Sequence, residues 1–282
     1  MSFLEAAGVA KSFDARGIRR PILRDIGLSI DRGEFVSIVG AMGSGKSTLL
    51  GILAGLVSPD AGTVMLDGAP LREIPRNAGF VFQNYSLLPW LTALENVRLA
   101  VDAAYPTHSR DQQRAQAQRT LEMVGLGHAI GRRPAQLSGG MRQRVAIARA
   151  MATDPEILFL DEPFGALDAL TRETLQQDLV KLCAPGDRPV TAVMITNNVE
   201  EALLLSDRIV PMIPGPPARL GAPIRVDLPR PRTLALLAHD EHASHVRGHV
   251  VATLAAAIGR TRRETLPIPP GRRAPRLAKA EE

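Results

Sequence analysis

The chain contains 282 residues, of which 45% are hydrophobic and 22% are charged, values that are ordinary for a soluble globular protein. Its one cysteine, Cys183, excludes an internal disulfide and favours a reducing compartment. No uncharged apolar run approaches about 18 residues, and the N-terminus lacks the basic and apolar blocks of a signal peptide, so neither a membrane span nor a secretion signal is expected.

The net charge of +5 is concentrated at the C-terminal end. Residues 1–224 hold 23 Lys or Arg and 23 Asp or Glu, whereas residues 225–282 hold 11 and 6. A basic end of this kind can contact anionic lipid or nucleic acid. A solvated, partly disordered end is the other interpretation, and the composition favours it.

The predicted elements alternate between strands and helices along most of the chain. Residues 3–39 alternate apolar and polar positions, with turn signals at 15–17 and 31–33, and this pattern predicts short antiparallel strands. Further strands are predicted at 35–39, 63–68, 78–83, 157–160, 190–196 and 208–213. Helices are predicted at 48–56, 109–124 within a helical region 92–130, 141–153, 169–182 and 199–205. This order predicts an α/β fold in which a mostly parallel sheet carries helices on both faces.

A Pro- and Gly-rich segment, 214–223, predicts a turn and a domain boundary. We therefore expect a first domain over 1–224 and a basic C-terminal extension over 225–282. Within the extension, apolar residues four apart predict a helix over about 234–259. The remaining residues are rich in Pro and Arg and are predicted to be disordered.

The string from Gly40 to Thr48 matches the G-x-x-x-x-G-K-[ST] phosphate loop. Glycines allow the backbone to approach phosphate oxygens closely, and the following helix directs its positive N-terminus at the same place. Lys46 is expected to contact the β- and γ-phosphates, and the Ser47 hydroxyl to bind Mg²⁺. The predicted nucleotide-binding residues are Gly40, Ala41, Met42, Gly43, Ser44, Gly45, Lys46, Ser47 and Thr48.

Two adjacent carboxylates, Asp161 and Glu162, follow the apolar strand at 157–160. Ligands of an open α/β sheet gather at the carboxyl ends of its strands. Asp161 is therefore predicted to hold Mg²⁺ through water, opposite Ser47. Glu162 is predicted to orient and polarise the water that attacks the γ-phosphate.

With these residues in place, the chain resembles the ATP-binding subunit of an ABC transporter over about residues 3–224. The most specific element is LSGGMRQR at 137–144, which other phosphate-loop enzymes lack. The resemblance implies an ABC-type phosphate-loop NTPase with an N-terminal antiparallel β subdomain, a mostly parallel core sheet, and a helical subdomain inserted at about 85–138. It also implies ATP and Mg²⁺ as cofactors, and two such subunits paired head to tail.

The resemblance assigns roles to residues outside the phosphate loop. Ser138, Gly139 and Gly140 would face the γ-phosphate bound by the partner subunit, because small residues at a helix N-terminus form a good anion seat. Gln83 matches the glutamine that senses Mg²⁺ and water. Asp168 matches the aspartate that contacts the opposite subunit. Phe13 matches the aromatic residue that stacks on adenine, with an ordinary core residue as the alternative.

One position departs from the family pattern. Asn197 stands where the family has a histidine that contacts the γ-phosphate. An asparagine amide can donate a hydrogen bond, but it cannot carry positive charge. Two alternatives follow. Either Asn197 is sufficient for ATP hydrolysis together with the catalytic Lys46, Gln83 and Glu162, or this site is slow and a different partner subunit hydrolyses most of the ATP.

Two further stretches are similar to anion importers within the family. The stretch 86–97 is similar to importers of nitrate, sulfonate and taurine, and 206–232 is similar to the nitrate, cyanate and bicarbonate branch. Nitrate-type import is therefore the expected function, with sulfonate or taurine import as the alternative. Leu88, Pro89 and Trp90 could pack against a helix of the membrane subunit, although a buried tryptophan is as ordinary a reading.

The resemblance also implies where the chain works and with what. We expect a peripheral subunit on the cytoplasmic face of the inner membrane, bound to a transmembrane subunit and to a second ATP-binding subunit, identical or different. A solute-binding protein would be reached only indirectly, and no nucleic acid is expected, since the arginines of 141–145 lack interleaved aromatic residues. The competing hypotheses are a soluble ABC protein without a membrane partner and a clamp that binds ATP without hydrolysing it.

Overall fold

The computed structural model of the protein describes residues 2–183 and 189–265. Its strands form two sheets, and its helices pack around the larger one. None of the helices in these residues is both long and apolar enough to cross a bilayer.

The smaller sheet is antiparallel and has the order β2-β1-β4-β5. Its strands are β1 (Leu4–Ala15), β2 (Ile18–Ile30), β4 (Ala61–Leu66) and β5 (Ala69–Pro70). The antiparallel prediction is confirmed, but β1 and β2 have 12 and 13 residues and are not short. Register shifts between Ala6 and Ser12 interrupt the regular alternation of β1, which explains why the pattern suggested shorter pieces. The hairpin turns through Arg16 and Gly17, both with positive φ, as a tight two-residue turn requires.

The larger sheet has the order β10-β9-β3-β8-β7-β6, with β11 also paired to β9. Its strands are β3 (Phe35–Val39), β6 (Ala78–Val81), β7 (Ile157–Asp161), β8 (Thr191–Thr196), β9 (Arg208–Ile213), β10 (Arg219–Leu220) and β11 (Ile224–Arg225). The first five are parallel to one another. Their carboxyl ends therefore meet at one edge, where the phosphate loop, the paired carboxylates and Asn197 all follow strands.

The helices begin and end close to the predicted positions. They are α1 (Lys46–Leu53), α2 (Ala93–Ala104), α3 (Arg110–Met123), α4 (Gly139–Met151), α5 (Ala169–Cys183), α6 (Val199–Leu205), α7 (Leu234–His239) and α8 (Glu241–Thr265). Short 3₁₀ turns lie at Gly127–Ala129 and Pro134–Gln136. The helix predicted at 48–56 begins earlier, directly after Gly45, and ends before Gly55, whose φ of +74° breaks the helical backbone.

The inserted helices pack against α4. Thr92 and Ser109 begin α2 and α3 with capping boxes, in which side chain and backbone exchange hydrogen bonds. Buried residues of α2 and α3 belong to the same hydrophobic core as Val145 of α4. This packing presents the N-terminus of α4, with Ser138 as its cap, at the surface of the insertion.

The C-terminal region differs from the sequence prediction. The segment expected to be a turn and boundary contains β10 and is followed directly by β11, and both strands pair with β9 of the core sheet. The residues after β11 contribute six buried side chains to the hydrophobic core that the large sheet shares with the helices. These are Val226, Leu228, Leu237, Ala243, Val246 and Val250. The basic composition had suggested a solvated end, whereas these six apolar side chains are buried.

The helix predicted over 234–259 is interrupted at Asp240. The Asp240 carboxylate accepts a hydrogen bond of 2.7 Å from the Ala243 backbone N–H and so begins a second helix, α8. That helix continues to Thr265, beyond the predicted end, because no proline stands before Pro267. The disordered tail predicted after residue 259 otherwise lies in residues 266–282, outside the described residues.

Candidate functional site

The phosphate loop connects β3 to α1 at the carboxyl edge of the core sheet. Gly45 has a φ of +93°, and a Cβ there would lie 3.0 Å from Ile22 Cγ2 and 3.2 Å from Leu23 Cδ2, so glycine is needed for both conformation and space. The backbone N–H groups at the start of α1 have no partners within the helix. The Ser44 hydroxyl is buried and has no hydrogen-bond partner in the described part of the chain. The loop therefore offers several polar donors to an anion.

Lys46 lies at the centre of the loop and is only 4% exposed. Its Nζ donates hydrogen bonds to the carbonyl oxygens of Gly40 at 3.0 Å and Ala41 at 3.1 Å. The same Nζ lies 3.4 Å from Glu162 Oε1. A buried ammonium is costly unless it is paired, so this carboxylate contributes to keeping the charge in place.

Asp161 and Glu162 end β7 beside the phosphate loop. The Ser47 hydroxyl donates to Asp161 Oδ1 at 3.3 Å. Burial raises the pKa of the Asp161 carboxyl above its ordinary value, and the nearby Glu162 charge adds to the rise, while Ser47 and Lys46 oppose it. Adjacent oxygen donors of this kind suit a hard divalent cation, which would also relieve the cost of burying the charge.

Glu162 adopts a strained backbone. Its φ is +41°, a conformation that non-glycine residues rarely adopt and that costs about 1–3 kcal/mol. Its N–H donates to the Ile195 carbonyl at 3.0 Å, and its own carbonyl accepts from Gly165 N–H at 3.2 Å. These bonds to the neighbouring strand and the following turn hold the carboxylate toward Lys46.

A cavity of about 330 Å³ opens beside Glu162. The predicted residues Met42, Gln83, Glu162 and Asn197 all line it. Asn197 is exposed, and within the described residues its side chain makes no hydrogen bond to the protein. The structure thus brings the ends of the phosphate loop, β6, β7 and β8 together around one space.

Six lining residues were not identified from the sequence, and three of them, Arg172, Thr196 and Glu201, interact with one another. Glu201 is 5% exposed and its carboxylate accepts a 2.7 Å bond from the Thr196 hydroxyl. Thr196 could have been noticed as the last residue of a strand that precedes Asn197. Neither Arg172 nor Glu201 has a comparable signal, since each looks like an ordinary charged residue on a helix.

The LSGG residues do not line this cavity. The Ser138 hydroxyl accepts a 3.2 Å bond from Met141 N–H and caps α4. Gly140 packs against α5 so closely that a Cβ would lie 2.3 Å from Thr171 Cγ2. Asp168 caps the start of α5, where the Thr171 N–H donates to it at 3.0 Å and lowers the pKa of its carboxyl. These groups lie outside the cavity that holds Glu162 and Asn197.

Phe13 lies on β1, away from the cavity lining. Its ring is 45% exposed, and Lys11 Nζ stands 5.4 Å from the ring centroid. This exposure removes the alternative that Phe13 is an ordinary core residue. An exposed ring with a nearby ammonium can stack on a planar ligand.

Comparisons with known proteins agree with this geometry. A profile of the ABC transporter family matches residues 23–165. The chain is 46% identical over 250 residues to the bicarbonate transport ATP-binding protein CmpC of Synechococcus elongatus, covering 88% of this chain but about 37% of the length of that relative. It is also 46% identical over 245 residues to the nitrate import ATP-binding protein NrtD of the same species, covering 87% of this chain and 89% of the relative.

A similar solved structure is the dimeric ATP-binding cassette MJ0796 in a post-hydrolysis state bound to ADP and Pi. It superposes with a TM-score of 0.71 at 35% identity and covers 80% of this chain and 99% of that one. The ABC-type fold expected from LSGGMRQR is confirmed by these matches. The chain therefore belongs to the ABC transporter family.

Proposed function

We propose that this chain binds ATP with Mg²⁺, hydrolyses it as one of a pair of subunits, and so energises the import of a small anion of the nitrate type. The observation that carries the proposal is the placement of Asp161 and Glu162 beside the phosphate loop, with Ser47 Oγ at 3.3 Å from Asp161 and Lys46 Nζ at 3.4 Å from Glu162. Names of relatives such as NrtD, a nitrate import ATP-binding protein, support the solute class.

The phosphate-binding residues act mainly through electrostatics. The loop from Gly40 to Thr48 wraps the phosphates with backbone N–H groups, and Lys46 neutralises charge on the β- and γ-phosphates. Ser47, Asp161 and Gln83 would hold Mg²⁺, and the ion would supply positive charge that stabilises the phosphates. The oxygen donors already paired at Ser47 and Asp161 fit this ion.

Glu162 is the residue placed to act on water. Its carboxylate borders the cavity in which a γ-phosphate and an attacking water would meet, and it accepts a hydrogen bond from that water. Its constrained backbone reduces the reorganisation needed when the reaction begins. A change of Glu162 to Gln would preserve the shape and remove the charge.

A second subunit completes the site. Ser138, Gly139 and Gly140 lie at the N-terminus of α4, outside the chain's own cavity, and would close over ATP bound by the partner. Asp168 would contact the opposite subunit, and Phe13 would stack on adenine. The MJ0796 structure is dimeric, which supports the pairing of two such subunits.

Because Asn197 replaces the histidine of the family pattern, two mechanisms of hydrolysis are compatible with this site. In one, its neutral amide suffices because Lys46, Glu162 and Mg²⁺ supply most of the stabilisation. In the other, two copies of this chain turn over slowly and a different ATP-binding subunit performs most of the hydrolysis. Its exposed position on the cavity lining makes either version compatible with contact to the γ-phosphate.

The membrane subunit would dock near α2 and the end of β6. A groove of about 370 Å³ there is lined in part by Phe80, Phe82, Ser86 and Arg149. Trp90, which lies between β6 and α2, is 64% exposed, so the alternative of a buried tryptophan is wrong. An exposed aromatic residue in this part of the chain suits contact with a helix of a transmembrane partner on the cytoplasmic face of the membrane. Sulfonate or taurine remains the alternative solute, and a solute-binding protein would act only through that partner.

The experiment is ATP turnover by the full chain at rising protein concentration, with and without Mg²⁺. We expect an Mg²⁺-dependent rate that rises with the square of concentration while dimers are scarce. Tight ATP binding with negligible turnover would instead favour a different partner subunit. Failure to bind ATP with Mg²⁺ would contradict the proposal as a whole.

A further inference from the structure

Glu201 is a nearly buried carboxylate that the proposed chemistry does not use. It lies in the first turn of α6, is 5% exposed, and borders the cavity that also contains Glu162 and Asn197. A buried charge costs several kcal/mol unless its partners compensate for it. The partners of Glu201 therefore indicate what the charge does.

One partner is Thr196, the last residue of β8. Its hydroxyl donates to Glu201 Oε2 at 2.7 Å and accepts from the Asn198 N–H at 3.1 Å. Its backbone carbonyl accepts from Gly40 N–H at 3.3 Å. Because the Thr196 hydroxyl donates its proton to Glu201, its oxygen is oriented to accept from the Asn198 N–H. This second bond fixes the turn in which Asn197 is exposed.

The other partner is Arg172 in the first turns of α5. Its Nε lies 3.9 Å from Glu201 Oε1, and its Nη2 donates to the Leu167 carbonyl at 2.8 Å. Leu167 belongs to the segment 165–168, which connects Glu162 to Asp168 and contributes Gly165 to the cavity. Glu201 thus bonds directly to the end of β8, and it reaches the segment 165–168 through its ion pair with Arg172.

We propose that Glu201 is a positioning residue, which through Thr196 sets the Asn197 turn and through Arg172 sets the segment 165–168 around the ATP site. This inference rests on the proposed ATP hydrolysis for its catalytic consequence, but not for its structural one. The carboxylate acts through two neighbours and exchanges no proton with substrate. Burial and the nearby Glu162 charge raise the pKa of the Glu201 carboxyl, while Thr196 and Arg172 oppose that rise.

The neighbouring residue provides a matched control. Glu200 precedes Glu201 on α6, yet its carboxylate faces away and forms a two-point ion pair with Arg247, at 2.5 and 3.0 Å. It does not line the cavity. A change of Glu200 to Gln removes the same charge from the same helix without touching Thr196 or Arg172.

The test compares Glu201→Ala, Glu201→Gln and Glu200→Gln in the full chain by amide hydrogen exchange and by ATPase kinetics. Glu201→Ala should raise exchange at both 196–198 and 165–168 by about tenfold, since both segments lose a tether. Glu201→Gln retains an acceptor for Thr196 and should raise exchange at 165–168 alone. Glu200→Gln should leave both segments unchanged.

The kinetic arm separates positioning from general loss of structure. Glu201→Ala should lower kcat by about tenfold with KM for ATP changed less than about twofold, because misplaced groups slow the chemical step more than binding. Equal exchange and equal kcat in Glu201→Ala and Glu200→Gln would overturn the inference. So would a parallel loss of kcat and ATP affinity with unchanged exchange at both segments.

The two proposals fail in different ways. Absence of turnover in the unsubstituted chain would count against hydrolysis by this subunit alone, while the exchange measurement would still decide the role of Glu201. Normal turnover with Glu201 variants that behave like Glu200→Gln would refute only the positioning role. If Glu201→Ala does not fold, the nearly isosteric Glu201→Gln still reports on the segment 165–168.

Discussion

Asn197 permits a direct test of how the site stabilises the γ-phosphate. Its side chain is exposed on the cavity lining and makes no hydrogen bond within the described residues, so removing it should leave the folded structure intact. If its amide donates to the γ-phosphate in the transition state, Asn197→Ala loses one hydrogen bond from a neutral donor to an anionic acceptor. Such a bond contributes about 1.5 kcal/mol, which corresponds to about a tenfold fall in kcat.

The next residue in the chain is the control for this variant. The Asn198 side chain accepts from the backbone N–H groups of Glu200 at 2.9 Å and Glu201 at 3.4 Å, and so caps α6. Asn198→Ala should therefore lower the free energy of unfolding by about 1 kcal/mol. Asn197→Ala should lower kcat without this loss of stability, which urea unfolding monitored beside the ATPase assay will show.

Asn197→His distinguishes the two versions of the mechanism. A protonated imidazole would add the attraction between opposite charges to the hydrogen bond, which is worth at least about 1 kcal/mol, or about fivefold in kcat. Such a gain would support a slow natural site, and an unchanged rate would show that the amide suffices. If Asn197→Ala hydrolyses ATP as fast as the unsubstituted chain, the side chain does not contact the transferred phosphate and the reasoning is refuted.

Three other variants probe separate parts of the molecule. Lys46→Ala should lower kcat by at least about a hundredfold, measured with Mg²⁺ and saturating ATP, because it removes the buried charge that faces the phosphates. Arg232→Ala should cost about 3 kcal/mol in urea unfolding, since its guanidinium donates five hydrogen bonds to buried carbonyls, whereas Arg225→Ala, at an exposed position, should change stability by less than about 0.5 kcal/mol. Asp60 has a pKa lowered from 3.8 to about 2, mainly by Lys11, so its stabilising contribution is complete above pH 3.8 and disappears as the pH falls to about 2. The unfolding free energies of the unsubstituted chain and Asp60→Asn should therefore differ at neutral pH and converge toward pH 2.

The parts of the site that the sequence predicted share one property, namely that local chemistry dictates their residue types. A phosphate loop requires glycine at Gly45 because its φ is positive and its Cβ position is filled. Asp161 and Glu162 are recognisable because they follow an uninterrupted apolar strand. Their meeting around one cavity follows from parallel strand order, since all the relevant loops leave the same edge of the sheet.

The parts that were missed depend on partners far apart in the chain. Glu201 interacts with Arg172 and with Thr196 in the folded chain. The residue pattern within α5 and α6 does not predict these contacts, because they join separate elements. Arg232 was missed for the same reason, since its partners are distant in the sequence. It contributed to a basic composition that suggested a solvated end, yet it is 6% exposed and its hydrogen bonds reach the Leu203 and Ser206 carbonyls at the end of α6.

These long-range contacts converge on α6, which explains why the C-terminal region matters to the site. A helix of seven residues is not stable alone and takes its position from tertiary contacts. Its N-terminal turn carries Glu201 beside the cavity, its last carbonyls accept hydrogen bonds from Arg232, and its half-buried Glu200 pairs with Arg247 of α8. Because one short helix bears both sets of contacts, α6 is held by the C-terminal region and also lines the cavity through Glu201, although no described residue of α8 lines that cavity.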